Sequence, residues 1–184
     1  IEAVIRELST NAADEHIFAG KRDVPFEVTL PSYVSSVFSI RDFGNGLSDA
    51  DAISLYTKFF ESTKRQDNEV DGCLGLGSKS PFAVTNEFQV TSWHGGRKNV
   101  YKCFKSSGIP MLKNIHSEAS DEPTGVMVSL KPLSEYSRVS DWEQYAERVY
   151  KFFAVKPKVN VDLDMTLEEP LLHGDGWSIH PNLR

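Results

Sequence analysis

The sequence has little cysteine, no long apolar run and no excess of positive charge, and each of these absences excludes a class of protein. Two cysteines in 184 residues, Cys73 and Cys103, are too few for a disulfide framework. No run of about 18 apolar residues occurs, and no charged start followed by an apolar centre marks a secretion signal. We therefore expect a cytoplasmic protein whose given segment does not span a membrane.

The charge balance and the histidines exclude two further classes of site. The net charge is −6, whereas nucleic-acid binding usually needs a basic face that neutralises phosphates. No nucleic-acid partner is therefore predicted. The five histidines are scattered and show no spacing typical of a metal site. With 40% hydrophobic residues the chain can form one core of ordinary size, so a single domain is the simplest interpretation.

The most informative stretch is residues 69–93, where a glycine-rich loop precedes a short helix and an alternating strand. Gly72, Gly75 and Gly77 can take positive backbone dihedrals, so successive amide hydrogens can point at phosphate oxygens. The following helix would present the positive end of its dipole to the same anion. An ordinary glycine turn is the alternative, because short glycine motifs also arise without a ligand.

An amphipathic helix is predicted at the start of the chain, where apolar residues recur at helical spacing. Glu7, Asn11 and Asp14 stand at i, i+4 and i+7, so a 3.6-residue period places them along one stripe. The stripe is either a binding surface or an ordinary solvated face. The apolar positions are Ile1, Val4, Ile5, Leu8 and Ala12.

A strand, a sharp turn and a second helix are predicted next. The apolar run at residues 34–40 leads into turn-forming residues that begin with Asp42. Ser48, with Asp51 three residues later, resembles a capping box, so a helix is expected from Ser48 to about residue 59. Asp42 would then lie at the end of a strand, and a plain turn without a binding role is the alternative.

Together these motifs resemble the GHKL superfamily of ATP-binding domains, which includes gyrase B subunits, MutL and sensor histidine kinases. Two further stretches are similar to family features: the start of the ATP lid and a late strand that carries a threonine, Thr124. Pro123 stands where the family usually has glycine, which puts the loop geometry there in question. The matched positions are Glu7 and Asn11; Asp42, Gly44 and Gly46; Gly72, Gly75 and Gly77; and Ser62, Thr63 and Lys64.

The resemblance implies a role for each matched residue. Asp42 would accept a hydrogen bond from the adenine amino group, with Thr124 completing the contact. Asn11 would be the main protein ligand of Mg²⁺, and Glu7 would take a proton from the water that attacks the γ-phosphate. Lys79 or Lys64 would add charge beside the triphosphate. The other expected ATP contacts are Asp14, Gly44, Gly46, Leu47, Ser62, Thr63, Gly72, Leu74, Gly75, Leu76, Gly77 and Ser78.

Within the superfamily, residues 4–96 also resemble the rapid-lysis A proteins of T-even-like phages. That family acts inside infected bacteria, so the resemblance implies a phage B-type lysis protein as partner, self-association and peripheral association with the host inner membrane. A chain that opens at Ile1, inside the helix with Glu7, is expected to be a fragment that lacks an N-terminal strand.

The implied fold is an α+β two-layer sandwich, the Bergerat ATP-binding fold, in which helices cover one face of a mixed, mostly antiparallel sheet. The ATP-binding domain is assigned to residues 1–164, and residues 165–184 to a tail or the start of a following segment. The clearest local signal is a hairpin closed by Gly95 and Gly96. Strands are predicted at residues 25–30, 34–40, 87–94, 97–104, 109–115, 125–130 and 159–163.

A last helix is predicted to begin at a capping box formed by Ser140 and Glu143 and to be stopped by Pro157. Its aromatic and aliphatic residues recur at helical spacing and are expected in the core. These residues are Trp142, Tyr145, Val149 and Phe152.

Three functions fit this pattern. The first is a slow ATPase in which closure of residues 61–71 over ATP drives assembly or partner binding. The second is a nucleotide-gated scaffold without significant hydrolysis, because GHKL ATPases usually borrow a phosphate-contacting lysine from a following domain. The third is a histidine-kinase catalytic domain, which would need an upstream helical hairpin with a phosphoacceptor histidine.

Overall fold

The computed structural model describes residues 1–57 and 77–181. Its helices are α1 (Glu2–Phe18), α2 (Asp49–Thr57) and α3 (Val139–Tyr150), with short 3-10 helices at Gly77–Ala83 and Ser134–Tyr136. Its strands are β1 (Glu27–Thr29), β2 (Phe38–Arg41), β3 (Glu87–His94), β4 (Arg97–Ser106), β5 (Ile109–Ala119), β6 (Gly125–Leu130), β7 (Lys158–Val159), β8 (Leu172–Gly174) and β9 (Trp177–Ile179).

Seven strands form one sheet in the order β5-β4-β3-β6-β2-β1-β7. Every neighbouring pair is antiparallel except β1 and β7, which run parallel. The predicted α+β class with a mixed, mostly antiparallel sheet is confirmed.

One face of the sheet is apolar and carries the core. Residues directly opposite each other on paired strands point to the same face. One such row is Phe38, Leu130, Phe88 and Cys103, and the next is Val28, Ile40, Val128, Val90 and Tyr101. All of them belong to a single buried cluster that also contains side chains of α1, α2 and α3. The helices therefore form the second layer of the sandwich on this face.

Helix α1 matches the predicted amphipathic helix. Its buried apolar residues include Val4, Ile5, Leu8 and Ala12, as the spacing indicates. The helix ends just before Gly20, whose φ of +69° lies in the left-handed region that glycine adopts without strain.

Helix α2 begins as the capping box predicts. The Ser48 hydroxyl accepts a hydrogen bond from the Asp51 amide at 3.2 Å and donates one to the Asp51 carboxylate at 2.6 Å. The helix starts at Asp49, one residue after the capping serine. The predicted end near residue 59 lies outside the described residues.

Helix α3 differs from its prediction at both ends. It starts at Val139 after an extended Arg138, with no side-chain cap, so the capping box assigned to Ser140 was wrong. It ends at Tyr150, before Pro157 is reached. Because the helical spacing stops there, Phe152 turns outwards and is 54% exposed, which corrects its assignment to the core. Trp142 and Val149 are buried as expected, and Tyr145 packs against the core from its edge.

The strand predictions vary in quality with the strength of the local signal. The hairpin of β3 and β4 pairs in full register around Gly95 and Gly96, which both have positive φ. The strand predicted at residues 159–163 is only the two-residue β7. Strand β5 continues four residues beyond its predicted end, and the β8-β9 hairpin was not predicted. The boundary at residue 164 stays a prediction.

Two expectations from the sequence apply to the described residues, the absence of a membrane span and the absence of a disulfide framework. Within the described residues, 1–57 and 77–181, no helix has both the length and the apolar character needed to cross a bilayer. Cys103 is a buried free thiol, and its burial raises its pKa to about 12. Cys73 lies outside the described residues.

We expect Phe38→Ala to destabilise the domain by about 3–5 kcal/mol, because a fully buried ring beside Trp142 (centroids 4.6 Å apart) would leave a cavity. Replacement of the exposed Phe152 by alanine should change the free energy of unfolding by no more than about 0.5 kcal/mol. Urea denaturation followed by circular dichroism measures both. Equal losses of the free energy of unfolding would contradict the assignment of Phe38 to the core and Phe152 to the surface.

Candidate functional site

The turn that follows β2 is held from the helix layer by two side chains. The Phe43 amide donates to Nε2 of His16 at 2.7 Å, so the ring proton sits on Nδ1 and is donated to the Val24 carbonyl, also at 2.7 Å. Burial lowers the pKa of His16, which favours this neutral form. Lys21 donates to the Phe43 carbonyl at 2.6 Å. Both polar groups of the Phe43 main chain are therefore fixed from the α1 side.

The same turn is held from the sheet by three more side chains. Thr124 donates its hydroxyl to the Gly44 carbonyl at 2.7 Å, and Nδ1 of His94 lies 3.0 Å from the Asn45 carbonyl. The Ser92 hydroxyl accepts from the Leu47 amide at 2.7 Å and donates to the Leu47 carbonyl at 2.8 Å. We call this turn, residues 42–47, the Asp42 turn. Of the predicted ATP contacts, Leu47 belongs to it and Thr124 is bonded to it.

Asp42 lies where the sequence predicts it, directly after β2, and its side chain is buried. Its Oδ1 accepts from the Gly44 amide at 2.8 Å and from the Val126 amide at 3.1 Å. A carboxylate has two oxygens that together can accept about four hydrogen bonds. The two amides set the direction in which the carboxylate points.

Two glycines allow this packing. A Cβ on Gly46, whose φ is +72°, would lie 2.2 Å from the Trp93 carbonyl oxygen. A Cβ on Gly125, with φ +148°, would lie 2.1 Å from the Asp42 carbonyl oxygen. Gly125 was not among the predicted site residues, although its place after Thr124 was a usable signal. The close approach to Asp42 is therefore made by the residue after Thr124.

The end of the glycine-rich segment lies against α1. A Cβ on Gly77 would be 3.0 Å from Oε2 of Glu7 and 3.2 Å from Nδ2 of Asn11. The structure therefore brings Gly77 of the glycine-rich motif together with two residues of the α1 motif, Glu7 and Asn11, as the predicted site requires. The Glu7 side chain is 41% exposed and forms a 3.7 Å ion pair with Arg6.

The stripe on α1 also reaches the Asp42 turn, through a residue that the sequence reasoning missed. A Cβ on Gly44 would lie 2.9 Å from the Glu15 Cβ and 3.1 Å from the Glu15 carbonyl oxygen. Glu15 is four residues beyond Asn11, so the i+4 rule would have found it. Glu7 and Glu15 are separated by about 12 Å along the helix axis at 1.5 Å per residue. Asp14, which was predicted to contact ATP, is buried.

Acidic groups influence the core tyrosine beneath this turn. Tyr56 in α2 is buried, and its pKa is raised well above the usual value, first by burial and then by the charges of Cys103, Asp42 and Glu15. Asp42 and Glu15 lie close to each other, because a Cβ on Gly44 would be 2.9 Å from the Glu15 Cβ and 3.1 Å from Oδ1 of Asp42. A basic or hydrogen-bond-donating ligand group would be favoured beside them.

The two residues after Gly77 are engaged with α2. Lys79 and Ser78 are buried and donate to the same carbonyl, that of Leu55, at 2.6 Å and 3.3 Å. The predicted contact of Lys79 with phosphate stays a prediction. The remaining predicted contacts, Ser62, Thr63, Lys64, Gly72, Leu74, Gly75 and Leu76, lie outside the described residues.

The described residues are compatible with one type of metal site. No group of three or more His, Cys, Asp or Glu side chains suited to a metal occurs in residues 1–57 and 77–181. Mg²⁺, however, needs only one or two protein oxygens, because it keeps several waters and binds substrate phosphates. An amide oxygen such as Oδ1 of Asn11 suits that type of site; the other atom of the same amide, Nδ2, is the one nearest the Cβ position of Gly77.

A separate groove lies at the other end of the sheet. It has a volume of about 750 Å³ and contains none of the predicted site residues. Thr85, Lys102, Ser129 and Lys131 are among its lining residues. The candidate site is therefore defined by the contacts of α1 and the Asp42 turn.

No protein-family model matches this chain, and a search of curated proteins found no match. The geometry of the site is therefore the basis for a function.

We expect Gly46→Ala to destabilise the domain more than Gly96→Ala. Both residues have nearly the same positive φ, +72° and +73°, so alanine has the same backbone strain of about 1–2 kcal/mol at either position. Only at Gly46 would the new Cβ collide with a carbonyl, and overpacking of this kind adds a further ~1–3 kcal/mol.

Thermal or urea unfolding of the two variants measures the difference. Similar stabilities would mean that the Asp42 turn does not approach β3 as closely as described.

Proposed function

We propose that this domain binds ATP with Mg²⁺ along α1, between the end of the glycine-rich segment and the Asp42 turn, and that it is a slow ATPase of the GHKL type. One observation carries the proposal. The same helix contacts Gly77 through Glu7 and Asn11 and contacts Gly44 through Glu15. It thus joins the two glycine-containing segments that the resemblance assigns to phosphate and adenine.

Adenine recognition falls to Asp42. Its carboxylate is oriented by the Gly44 and Val126 amides, so it does not need to reorganise when a ligand arrives. The adenine amino group is a hydrogen-bond donor, which matches a carboxylate. Thr124, bonded to the Gly44 carbonyl, lies at the same turn and can share a water with the base.

The phosphates would lie at the other end of the stripe. Gly77 lets the backbone of this segment approach Glu7 and Asn11 more closely than a residue with a side chain could, because a Cβ there would lie 3.0 Å from Oε2 of Glu7. Asn11 would hold Mg²⁺, whose charge offsets that of the phosphates when it is bound. The domain itself is acidic, with a net charge of −6, so this neutralisation matters for binding a triphosphate.

Glu7 is the group placed to act as general base. In hydrolysis a water oxygen forms a bond to the γ-phosphorus, the bond from that phosphorus to the β,γ-bridging oxygen breaks, and ADP leaves with the electron pair. The Glu7 carboxylate takes the proton that the water loses. The Glu7 side chain is 41% exposed, so water can reach it.

A nucleotide-gated scaffold without significant hydrolysis is the second candidate, and one contact favours it. The ammonium group of Lys79 is bonded to the Leu55 carbonyl and lies in a buried position. A lysine used to join two helices contributes less to the developing charge on a phosphate. Turnover would then depend on a charge from another segment or another protein.

The biological setting is proposed from the resemblance alone. A phage lysis-control protein would work in the cytoplasm of the host, and its partners would be a second copy, a B-type lysis protein and the inner membrane. The switch by closure of residues 61–71 belongs to the same proposal and concerns residues outside the described part.

We expect Asp42→Asn to weaken ATP binding at least about tenfold, because a charge-assisted hydrogen bond contributes roughly 1.5–3 kcal/mol. Asparagine can keep the bonds from the Gly44 and Val126 amides through Oδ1, so the turn should persist. Isothermal calorimetry with a non-hydrolysable ATP analogue and Mg²⁺ measures the affinity.

Asp175→Asn, in the β8-β9 turn, changes the net charge equally and serves as control. Unchanged affinity of the Asp42 variant beside a wild type that binds would remove Asp42 from the site.

We expect Glu7→Ala to bind ATP but to release phosphate about 10² to 10⁴-fold more slowly, because general-base catalysis typically contributes that factor. Glu2→Ala, on the first turn of the same helix, should keep the wild-type rate. Phosphate release with Mg²⁺ measures turnover. Comparable rates for wild type and the Glu7 variant would favour the scaffold over the ATPase.

A further inference from the structure

We propose that Arg41 is a positioning residue that gives the site its preference for adenine over guanine, by holding Asp42 and Thr124 in register. This inference rests on the proposed ATP-binding function and adds a residue that none of the motifs contains. Arg41 is the last residue of β2 and immediately precedes Asp42.

Arg41 lies on the sheet face away from the helices, because its neighbour Ile40 points into the core. Its guanidinium carbon is 3.7 Å from the centroid of the Trp93 ring and 5.2 Å from that of Phe43. Trp93 is only 3% exposed, although α1, α2 and α3 pack on the other face of the sheet. The stack with Arg41 therefore helps to remove this large ring from water.

The same guanidinium contacts the loop that carries Thr124. Nη1 lies 3.3 Å from the Glu122 carboxylate, and Nη2 donates to the Pro123 carbonyl at 3.3 Å. Thr124 follows directly and donates to the Gly44 carbonyl. One planar group thus joins the strand end next to Asp42 to the residue just before Thr124.

The stack of Arg41 on Trp93 contains two buried N–H donors that lack hydrogen-bond acceptors among the described residues. These donors are Nε of Arg41 and Nε1 of Trp93. Buried donors usually find partners, and local arrangements that do without them concentrate at functional sites. A lysine could not reproduce the arrangement, because stacking and two directed bonds need a planar fork.

The link to base preference follows from hydrogen-bond chemistry. Adenine carries an amino donor at the position where guanine carries a carbonyl acceptor, and a carboxylate repels an acceptor. That discrimination requires the carboxylate of Asp42 and the hydroxyl of Thr124 to stay within a few tenths of an ångström of their places. If the register between them loosens, ATP binding weakens more than GTP binding.

The test measures affinities for Mg-ATP and Mg-GTP by calorimetry for wild type, Arg41→Lys and Arg97→Lys. We expect Arg41→Lys to lower the ratio of ATP to GTP affinity about tenfold, the usual size of effect when a supporting contact is lost. Arg97 is an exposed residue of β4, three strands away from β2 in the sheet, and Arg97→Lys should leave the ratio unchanged.

A second variant guards against misfolding of the first. Glu122→Gln alters an exposed partner of Arg41 and should lower the ratio in the same direction by a smaller factor. Near-ultraviolet circular dichroism reports whether the tryptophan environment is kept.

The outcomes separate the two proposals. A wild type that binds neither nucleotide overturns the proposed function, and this inference with it. A wild type that prefers ATP, together with an unchanged ratio in folded Arg41→Lys and Glu122→Gln, overturns the role of Arg41 alone. Equal weakening of ATP and GTP would also overturn it, because a purely structural role predicts that result.

Discussion

The main-chain hydrogen bonds of the turn from Asp42 to Leu47 are the constraint on which the site depends. The Asp42 amide still donates to the Val126 carbonyl of β6. Beyond it the turn leaves the sheet for a helix, so its other amides and carbonyls need partners outside a strand ladder. His16 and Lys21 supply them from the helix layer, and Thr124 and Ser92 from the sheet. The turn can hold Asp42 in one orientation only because both layers are in place. The geometry of the site is therefore a consequence of the whole sandwich.

The two faces of helix α1 have different functions, one in the core and one in the candidate site. Its apolar face packs Val4, Ile5 and Leu8 into the core, and this burial stabilises the fold. Its other face contacts glycines, where the lack of a side chain lets the backbone of a loop approach. A rigid helix between the two ends of the site fixes the distance between them, which a loop could not do. The proposed ATP binding depends on this fixed spacing.

Prediction succeeded where one local signal dominated. The β3-β4 hairpin has a glycine pair between alternating strands, and the start of α2 has a serine with an acidic residue three positions later. It failed where a tertiary contact decided the boundary. Ser140 carries a capping sequence, but α3 starts earlier, and Phe152 has helical spacing beyond the end of the helix. The length of β7 depends on β1, a strand far away in the chain.

The sequence alone determined the periodicity of α1, the turn chemistry at Asp42 and the glycine at Gly77, because each depends on residues within about two helical turns. Only the tertiary structure decided that Glu15 lies against Gly44, that Gly125 approaches the Asp42 carbonyl, that Lys79 binds Leu55 and that Arg41 stacks on Trp93. These contacts join residues distant in the chain. Their proximity follows from the strand order and the packing of the two layers, and no local pattern contains that information.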